Sequence, residues 1–397
     1  MNRLARSLGL WALCLWMGTA SAEGLRLVVW VAADKGYEGF QRVADRFAAA
    51  SGVPVRVERP EGAPEKFQQM AAAGRGPDVI CLAHNTAGAW ARAGLLSPVA
   101  LSRATVDSLE PVALQAFRFD GRLWGYPLAI EAAGLIYNKA LVREPPSTFD
   151  GVLALDRQLQ RQHGGRVRAL LWDYNSSYYT WPLMAGAGAT VFDAPAGAPA
   201  ATRRPGVNHP GAVQAGELIA RWVRDGHMPS NARYSEMEAQ FARGQVAMVI
   251  SGPWSWDNAR RVGIDFGVAA IPAVIPGKPS KPFVGVLGCM VSAVSPLKDI
   301  AREFLEHHLM QPEGLKTINA DVPLGVPAHR GFAAELSRDP AIAATLANAR
   351  QGRLLPQAAD LGRFFVAMNA ALEAISSGRQ APREALNQAA ERMRGPD

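Results

Sequence analysis

Two short stretches of the chain concentrate residues suited to polyhydroxy compounds. Tyr174-Asn175-Ser176-Ser177-Tyr178-Tyr179-Thr180-Trp181 sets aromatic rings among hydroxyls and an amide. Ser251-Gly252-Pro253-Trp254-Ser255-Trp256-Asp257-Asn258 places two tryptophans just after an apolar, strand-like run. A pyranose has an apolar face that stacks on an aromatic ring and a rim of hydroxyls that needs planar polar partners. The same rings would serve as core residues, and spacing alone leaves both readings open. Carboxylates offer a second chemistry, because Asp34, Glu65 and Glu131 could converge in one cleft as an acid/base pair. Surface and capping carboxylates are commoner, so catalysis is not the favoured reading. No HExxH, GxSxG, P-loop or CxxC pattern occurs in the sequence. Gly186-Ala187-Gly188 lacks the third glycine of a dinucleotide loop and reads as helix packing. His307 and His308 are adjacent on a helix and diverge, and no histidines stand at ligand spacing, so neither a metal nor a cofactor is expected.

These residues need elements to position them. Leu25 to Val31 is a buried-strand run, Phe40, Val43 and Phe47 recur at helical spacing up to Gly52, and Val53, Val55 and Val57 alternate as in a strand. A helix around Lys66 to Ala73 and a strand from Asp78 to Ala83 follow. Repeated βαβ units predict an α/β fold with a mainly parallel sheet covered by helices on both faces. Ligands of such sheets sit at the carboxyl ends of the strands. That singles out Asp34-Lys35, Glu61 to Glu65 and His84-Asn85-Thr86. A second α/β set follows Ile136-Tyr137-Asn138-Lys139. It has strands at Val167 to Trp172, Val246 to Ile250, Phe266 to Ala273 and Phe283 to Leu287, and a helix carrying Leu218, Ile219 and Trp222. Helices are expected at Pro296 to Leu309, Ala341 to Ala349, Leu361 to Ser376 and Arg383 to Met393, and Ala194 to Pro205 reads as an irregular insertion.

Composition bounds the rest. With 397 residues, 49% hydrophobic and 19% charged, the chain can bury two ordinary cores or one large one, and disorder as the main state is excluded. Arg3 and Arg6, the apolar run Leu8 to Met17 and Ala20-Ser21-Ala22 form a secretory leader, with the mature chain starting near Glu23. The apolar run is too short for a membrane span. Cys14 lacks a convincing lipobox, which leaves a lipid anchor as the minor alternative. Losing two arginines and no acid lowers the formal charge from +7 to +5. No basic run alternates with aromatics, so nucleic acid is a poor partner. Cys81 and Cys289 lie in apolar strand-like runs and are expected as buried free thiols, a cross-strand disulfide being the less favoured alternative.

Several segments carry a specific resemblance: Trp30 to Tyr37, Tyr126 to Ala132, Leu135 to Lys139, Gly252 to Trp256, Pro279 to Val286, Asp339 to Thr345 and Ser377 to Gln380. From about Leu25 to Met393 the chain resembles the periplasmic maltose/maltodextrin-binding proteins of ABC importers. The resemblance implies a non-enzymatic, two-lobed periplasmic binding protein holding sugar between its lobes. Residues 1–22 would be the leader, 23–130 plus 288–334 the N-terminal lobe, and 131–287 plus 335–397 the C-terminal lobe. Hinge closure would present the bound sugar to the membrane subunits of an importer. The protein would act as a monomer, with a chemoreceptor left open as a second reader of the closed form.

By the same resemblance, Asp34 and Lys35 match an acid-lysine pair that bonds one glucose unit, and Glu131 matches a carboxylate beside it. Tyr178 and Trp254 match aromatic contacts, and Glu65 and Tyr234 outer ones. The departures cluster. Leu82 stands in place of a stacking tryptophan, Asn85 and Thr86 in place of an acid and an arginine, and Ser176-Ser177 in place of a Glu-Pro pair. Phe365 replaces another tryptophan and Pro64 an acid. Maltose or a maltodextrin is the default ligand, another small sugar or glycoside the alternative, and an exported glycosidase the competing class.

Overall fold

The computed structural model describes residues 25–32, 35–193, 203–356 and 361–394. The expected leader, Asp34 and most of the Ala/Pro-rich insertion fall outside them. Strand Leu27–Val31 is flanked by Val55–Glu58 and Val79–Ala83, both parallel to it. Helices Tyr37–Ser51 and Ala63–Ala72 make the crossovers. The first of these buries Phe40, Val43, Ala44 and Phe47, a single stripe at i, i+3, i+4 and i+7. It ends where Gly52 takes φ +74° and its N–H bonds the Ala48 carbonyl, a left-handed cap that glycine adopts without strain.

The sheet then changes character. The nine-residue strand Phe283–Val291 runs antiparallel to Val79–Ala83 on one side and to Tyr126–Ala132 on the other. Val326–Pro327 closes the edge, and Arg353–Leu354 pairs in parallel with the start of Phe283–Val291. The sheet is therefore parallel where the βαβ repeat builds it and antiparallel where strands from distant sequence enter. The second sheet runs in the order Phe266–Ala269, Gly134–Asn138, Val246–Ser251, Arg168–Leu171, with only its last pair parallel. The last two expected helices form as Leu361–Ser376 and Pro382–Arg394. The helix expected at Pro296 to Leu309 starts at Lys298, and its last turn, Leu305–Leu309, widens into a π-helix.

The two sheets carry two apolar cores, and the chain passes between them at three strand positions, besides helix Pro340–Gln351, which puts Ala341 in the second core and Leu346 and Ala349 in the first. Ala132 packs in the first core and Ala133 in the second. Phe283 packs in the second and Val284 in the first. Leu354 lies against the first and Leu355 against the second. These passages are in register, with Val284 opposite Ala132 on one side and Leu354 on the other. Three crossings thus form one line across three hydrogen-bonded strands.

One expectation is corrected here. Cys81 and Cys289 are not free thiols; they form a disulfide between fully buried positions directly opposite each other in the ladder, with a Cα–Cα distance of 3.9 Å. Their pairing depends on the register of strands separated by 208 residues, which neither local run encodes. A crosslink closing so long a loop restricts the unfolded chain. The Cys81→Ala/Cys289→Ala variant should lose ~2–4 kcal/mol of stability, read as a lower urea midpoint than that of the oxidised protein.

Candidate ligand-binding site

The site begins beside the line of passages. Glu131 immediately precedes Ala132, and its Oε1 accepts a hydrogen bond from Lys35 Nζ at 2.6 Å. Lys35 stands in the turn after strand Leu27–Val31, where its backbone N–H bonds the Ala32 carbonyl. Both charged side chains are about one-fifth exposed, at 18% and 22%. The two charges offset each other and present a compact polar corner.

An aromatic wall faces that corner. Trp254 sits on the 3₁₀ turn Pro253–Ser255, directly after strand Val246–Ser251. A Cβ on Gly252 would lie 2.3 Å from the indole, so only glycine lets the ring settle across the backbone here. Its side chain is 37% exposed, among the few large apolar groups left open to solvent. Pro253 meets the first sheet's side of the molecule, its Cγ 3.1 Å from where a Cβ on Gly325 would project.

Helix Ser177–Gly186 supplies Tyr178 and Tyr179. The Tyr178 ring lies 6.0 Å from Trp254 and 6.3 Å from Phe283. Tyr179 stacks on Tyr234 at 5.5 Å and 19°, and Phe365 packs edge-on to Phe283 at 6.4 Å. This wall is anchored to the C-terminal helices, because Ser177 N–H donates to Asn369 Oδ1 and Ser376 Oγ donates to Asn175 Oδ1, each at 2.8 Å.

The hydroxyls on this wall are neutral. Burial, reinforced by the Glu131 carboxylate and by Tyr179, pushes the Tyr178 phenol well above its ordinary value. Burial lifts Tyr179 to about 12, with hydrogen bonding to the Trp254 side chain drawing it back. Tyr234 is likewise raised by burial, and its hydroxyl lies 3.2 Å from Ser251 Oγ. Each phenol therefore remains able to donate as well as accept.

The remaining part is the 3₁₀ turn His84–Thr86 at the end of strand Val79–Ala83. His84 is fully buried. Its Nδ1 accepts from Val286 N–H at 3.1 Å, so the proton must sit on Nε2, which donates to the Leu355 carbonyl at 3.1 Å. Burial holds this imidazole down at about 4. Asn85 and Thr86 are half-buried, and Thr86 Oγ1, like Ser177 Oγ, is buried without a partner.

Of the residues singled out from sequence, contacts link Lys35 to Glu131, and Tyr178, Trp254, Tyr234 and Phe365 through Tyr179 and Phe283. Glu65 is exposed in the first turn of Ala63–Ala72, and among the described residues it makes none of these contacts. Asn85 is placed by its turn alone, and Asp34 lies outside the described residues. Leu82 is a buried core residue opposite Gly288 and offers no platform. The sequence assigns Tyr179 and Phe283 no separate role in the wall, although both sit in the stretches singled out, and it marks His84 only as part of the turn His84-Asn85-Thr86. Two other hollows, of about 350 and 510 Å³, lie beside the ion pairs Lys139–Asp265 and Glu110–Arg350, away from the wall. Among the described residues no cluster of three or more His, Cys, Asp or Glu could hold a metal.

Two α/β cores joined at a line of passages, with a ring-lined and charge-balanced site beside it, have the architecture of a two-lobed solute-binding protein. Comparison with known proteins agrees, since the chain matches the bacterial extracellular solute-binding proteins over residues 33–307 and belongs to that family. Its members bind solutes and are not enzymes, so the glycosidase reading falls. The chain is 27% identical to the galactooligosaccharide-binding protein of Bacillus subtilis (strain 168), over 95% of this chain and 90% of that one. It is 26% identical to the maltotriose-binding protein of Pyrococcus abyssi (strain GE5 / Orsay), over 85% and 74%. A maltooligosaccharide ABC transporter solute-binding lipoprotein of Streptococcus pneumoniae (strain ATCC BAA-255 / R6) is 29% identical over 67% and 64%. The family is exported, and among the described residues no helix is long and apolar enough to cross a membrane.

His84 makes stability depend on pH in a defined direction. An unfolded chain protonates its histidine near 6.5, whereas the folded ring resists protonation down to about 4. Between those values the unfolded state binds the extra proton, so stability falls as pH drops. The loss should reach ~3 kcal/mol by pH 4 and be absent at neutral pH. Urea titrations from pH 7 to 4 should show a steeper decline for the native protein than for His84→Gln.

Proposed function

We propose that this protein binds a short, uncharged oligosaccharide and delivers it to an ABC importer. A maltose- or maltodextrin-like α-glucoside is the default ligand. The observation that carries the reading is Trp254, a clamped indole left 37% exposed in an aromatic wall opposite the Lys35–Glu131 ion pair. An apolar ring face, neutral hydroxyls and a balanced ion pair suit a pyranose better than a charged solute. The names of the relatives support the same class. A second reading, retuning to another small sugar, is favoured by Leu82, Asn85, Thr86 and Ser176-Ser177, which remove a stacking ring and charge-assisted bonds on one side of the site. The relative matched over 95% of this chain is named for galactooligosaccharides, which points the same way.

In this reading the two cores are two lobes. They close over the sugar by bending at the passages Ala132, Val284 and Leu354. Sugar contacts come from Lys35, Glu131, Tyr178, Trp254 and Tyr234, with Asp34, Glu65, Asn85 and Phe365 around them. The leader is removed near Glu23, and the mature protein works in the periplasm as a monomer that docks on the importer's membrane subunits. A chemoreceptor is a further reader of the closed form.

Calorimetry with glucose, maltose, maltotriose and a galactooligosaccharide should give saturable heat with at least one of the longer sugars and no release of free monosaccharide. Heat with none of them would end the reading. Maltotriose should gain little over maltose, because Pro64, Gly62 and Phe365 thin out the outer contacts. Trp254→Ala should weaken the preferred sugar by ~1–3 kcal/mol, the scale of one aromatic anchor. Its thermal midpoint should stay near that of the parent, since the exposed ring leaves no core cavity.

A further inference from the structure

We infer that His84 is a positioning residue whose imidazole fastens the turn bearing Asn85 and Thr86 to the third passage between the cores, at Leu355. The inference rests on the sugar-binding reading above and adds a residue that touches no ligand.

The observations are geometric. Strand Val79–Ala83 pairs with Phe283–Val291 only as far as Ala83 opposite Leu287. The next N–H along, that of Val286, finds its acceptor in the His84 ring instead. On the other side of the ring, Nε2–H reaches the Leu355 carbonyl, while the Leu355 N–H bonds the Val284 carbonyl. One side chain thus joins the end of strand Val79–Ala83, strand Phe283–Val291 two residues past the middle passage, and the third passage. It grips the third where the chain leaves the first core at Leu354 and enters the second at Leu355. The ring has no spare nitrogen, and Phe117 closes its face at 6.1 Å. The turn it holds carries Thr86 Oγ1, buried and without a partner. A buried hydroxyl left unpaired is costly unless something arrives to use it. Movement of the third passage is thereby coupled to the placement of Asn85 and Thr86.

Side chains that mimic one half of the imidazole separate coupling from simple packing. His84→Asn keeps an acceptor near Nδ1 for Val286 and loses the donor to Leu355. His84→Gln places an amide N–H near Nε2 and keeps that donor. His84→Leu loses both. With maltotriose, or the galactooligosaccharide if calorimetry selects it, affinity should fall about 3- to 10-fold in the Asn and Leu variants, the scale of one lost hydrogen bond. It should stay within about 3-fold in the Gln variant, although all three melt earlier. Equal affinity across the series, or a Gln variant as weak as Leu, would overturn the inference. Should no variant fold, hydrogen exchange on the native protein decides. Sugar should slow exchange around both Asn85 and Leu355, and protection at the turn alone would show that the passage is not coupled to it. Failure of the sugar-binding reading itself is distinct, because the native protein would then bind no sugar of the panel.

Discussion

The structure depends on one register: Ala132, Val284 and Leu354 side by side in three paired strands. Each is the point where the chain changes core. Had the crossings been scattered, any relative motion of the cores would have stretched some connections and broken ladder bonds, each costly to leave unmade in the interior. Aligned, they confine cheap motion to bending about their common line. The disulfide acts on the same strand, since Cys289 lies five residues beyond Val284 and is tied to Cys81 in the neighbouring strand. It ties the two neighbouring strands covalently within the first sheet, on the first core's side of that line.

The chemistry of the site follows from its place beside that line. Glu131 is adjacent to Ala132 in sequence, which sets its carboxylate close to that line, and Lys35 reaches it from the turn after the first strand. Tyr178, Tyr179 and Tyr234 pack against the second core, Trp254 lies against Tyr178 and Tyr179, and helix Leu361–Ser376 braces this wall through Asn369. In the proposed reading, a solute between them would touch groups from both cores. That is the condition for a ligand to favour one arrangement of the cores over another, because only differential contacts shift such an equilibrium.

How much of this was legible in the sequence depends on the range of the information. Helix Tyr37–Ser51 could be read from its stripe and its terminal glycine because both signals are local. The aromatic stretches around Tyr178 and Trp254 were visible as unusual composition, and resemblance assigned them to one site. The Cys81–Cys289 bond could be read only as the less favoured alternative, because it is decided by which strands become neighbours across 208 residues. His84 stood out only by its place at the end of a strand, and its role stayed hidden for a related reason. A histidine after an apolar strand has many ordinary explanations, and its role is set by two backbone groups, at Val286 and Leu355, that come near only in the folded chain.

The departures from the maltodextrin pattern then acquire a physical sense. Lys35 and Glu131 already satisfy part of each other's charge, so a sugar bound there as proposed would exchange bonds rather than simply add them, and the net gain per bond would be modest. With Leu82 buried, stacking on the first core's side is gone, which shifts the apolar contribution onto the exposed indole of the second. What the first core still offers is the turn of Asn85 and Thr86, whose bonds are neutral and directional and therefore weak unless held in place. Neutral hydroxyl and amide groups discriminate sugars by geometry rather than by charge. The rigidity of their mounting, from His84 through to the third passage, then matters more to selectivity than the strength of any single contact.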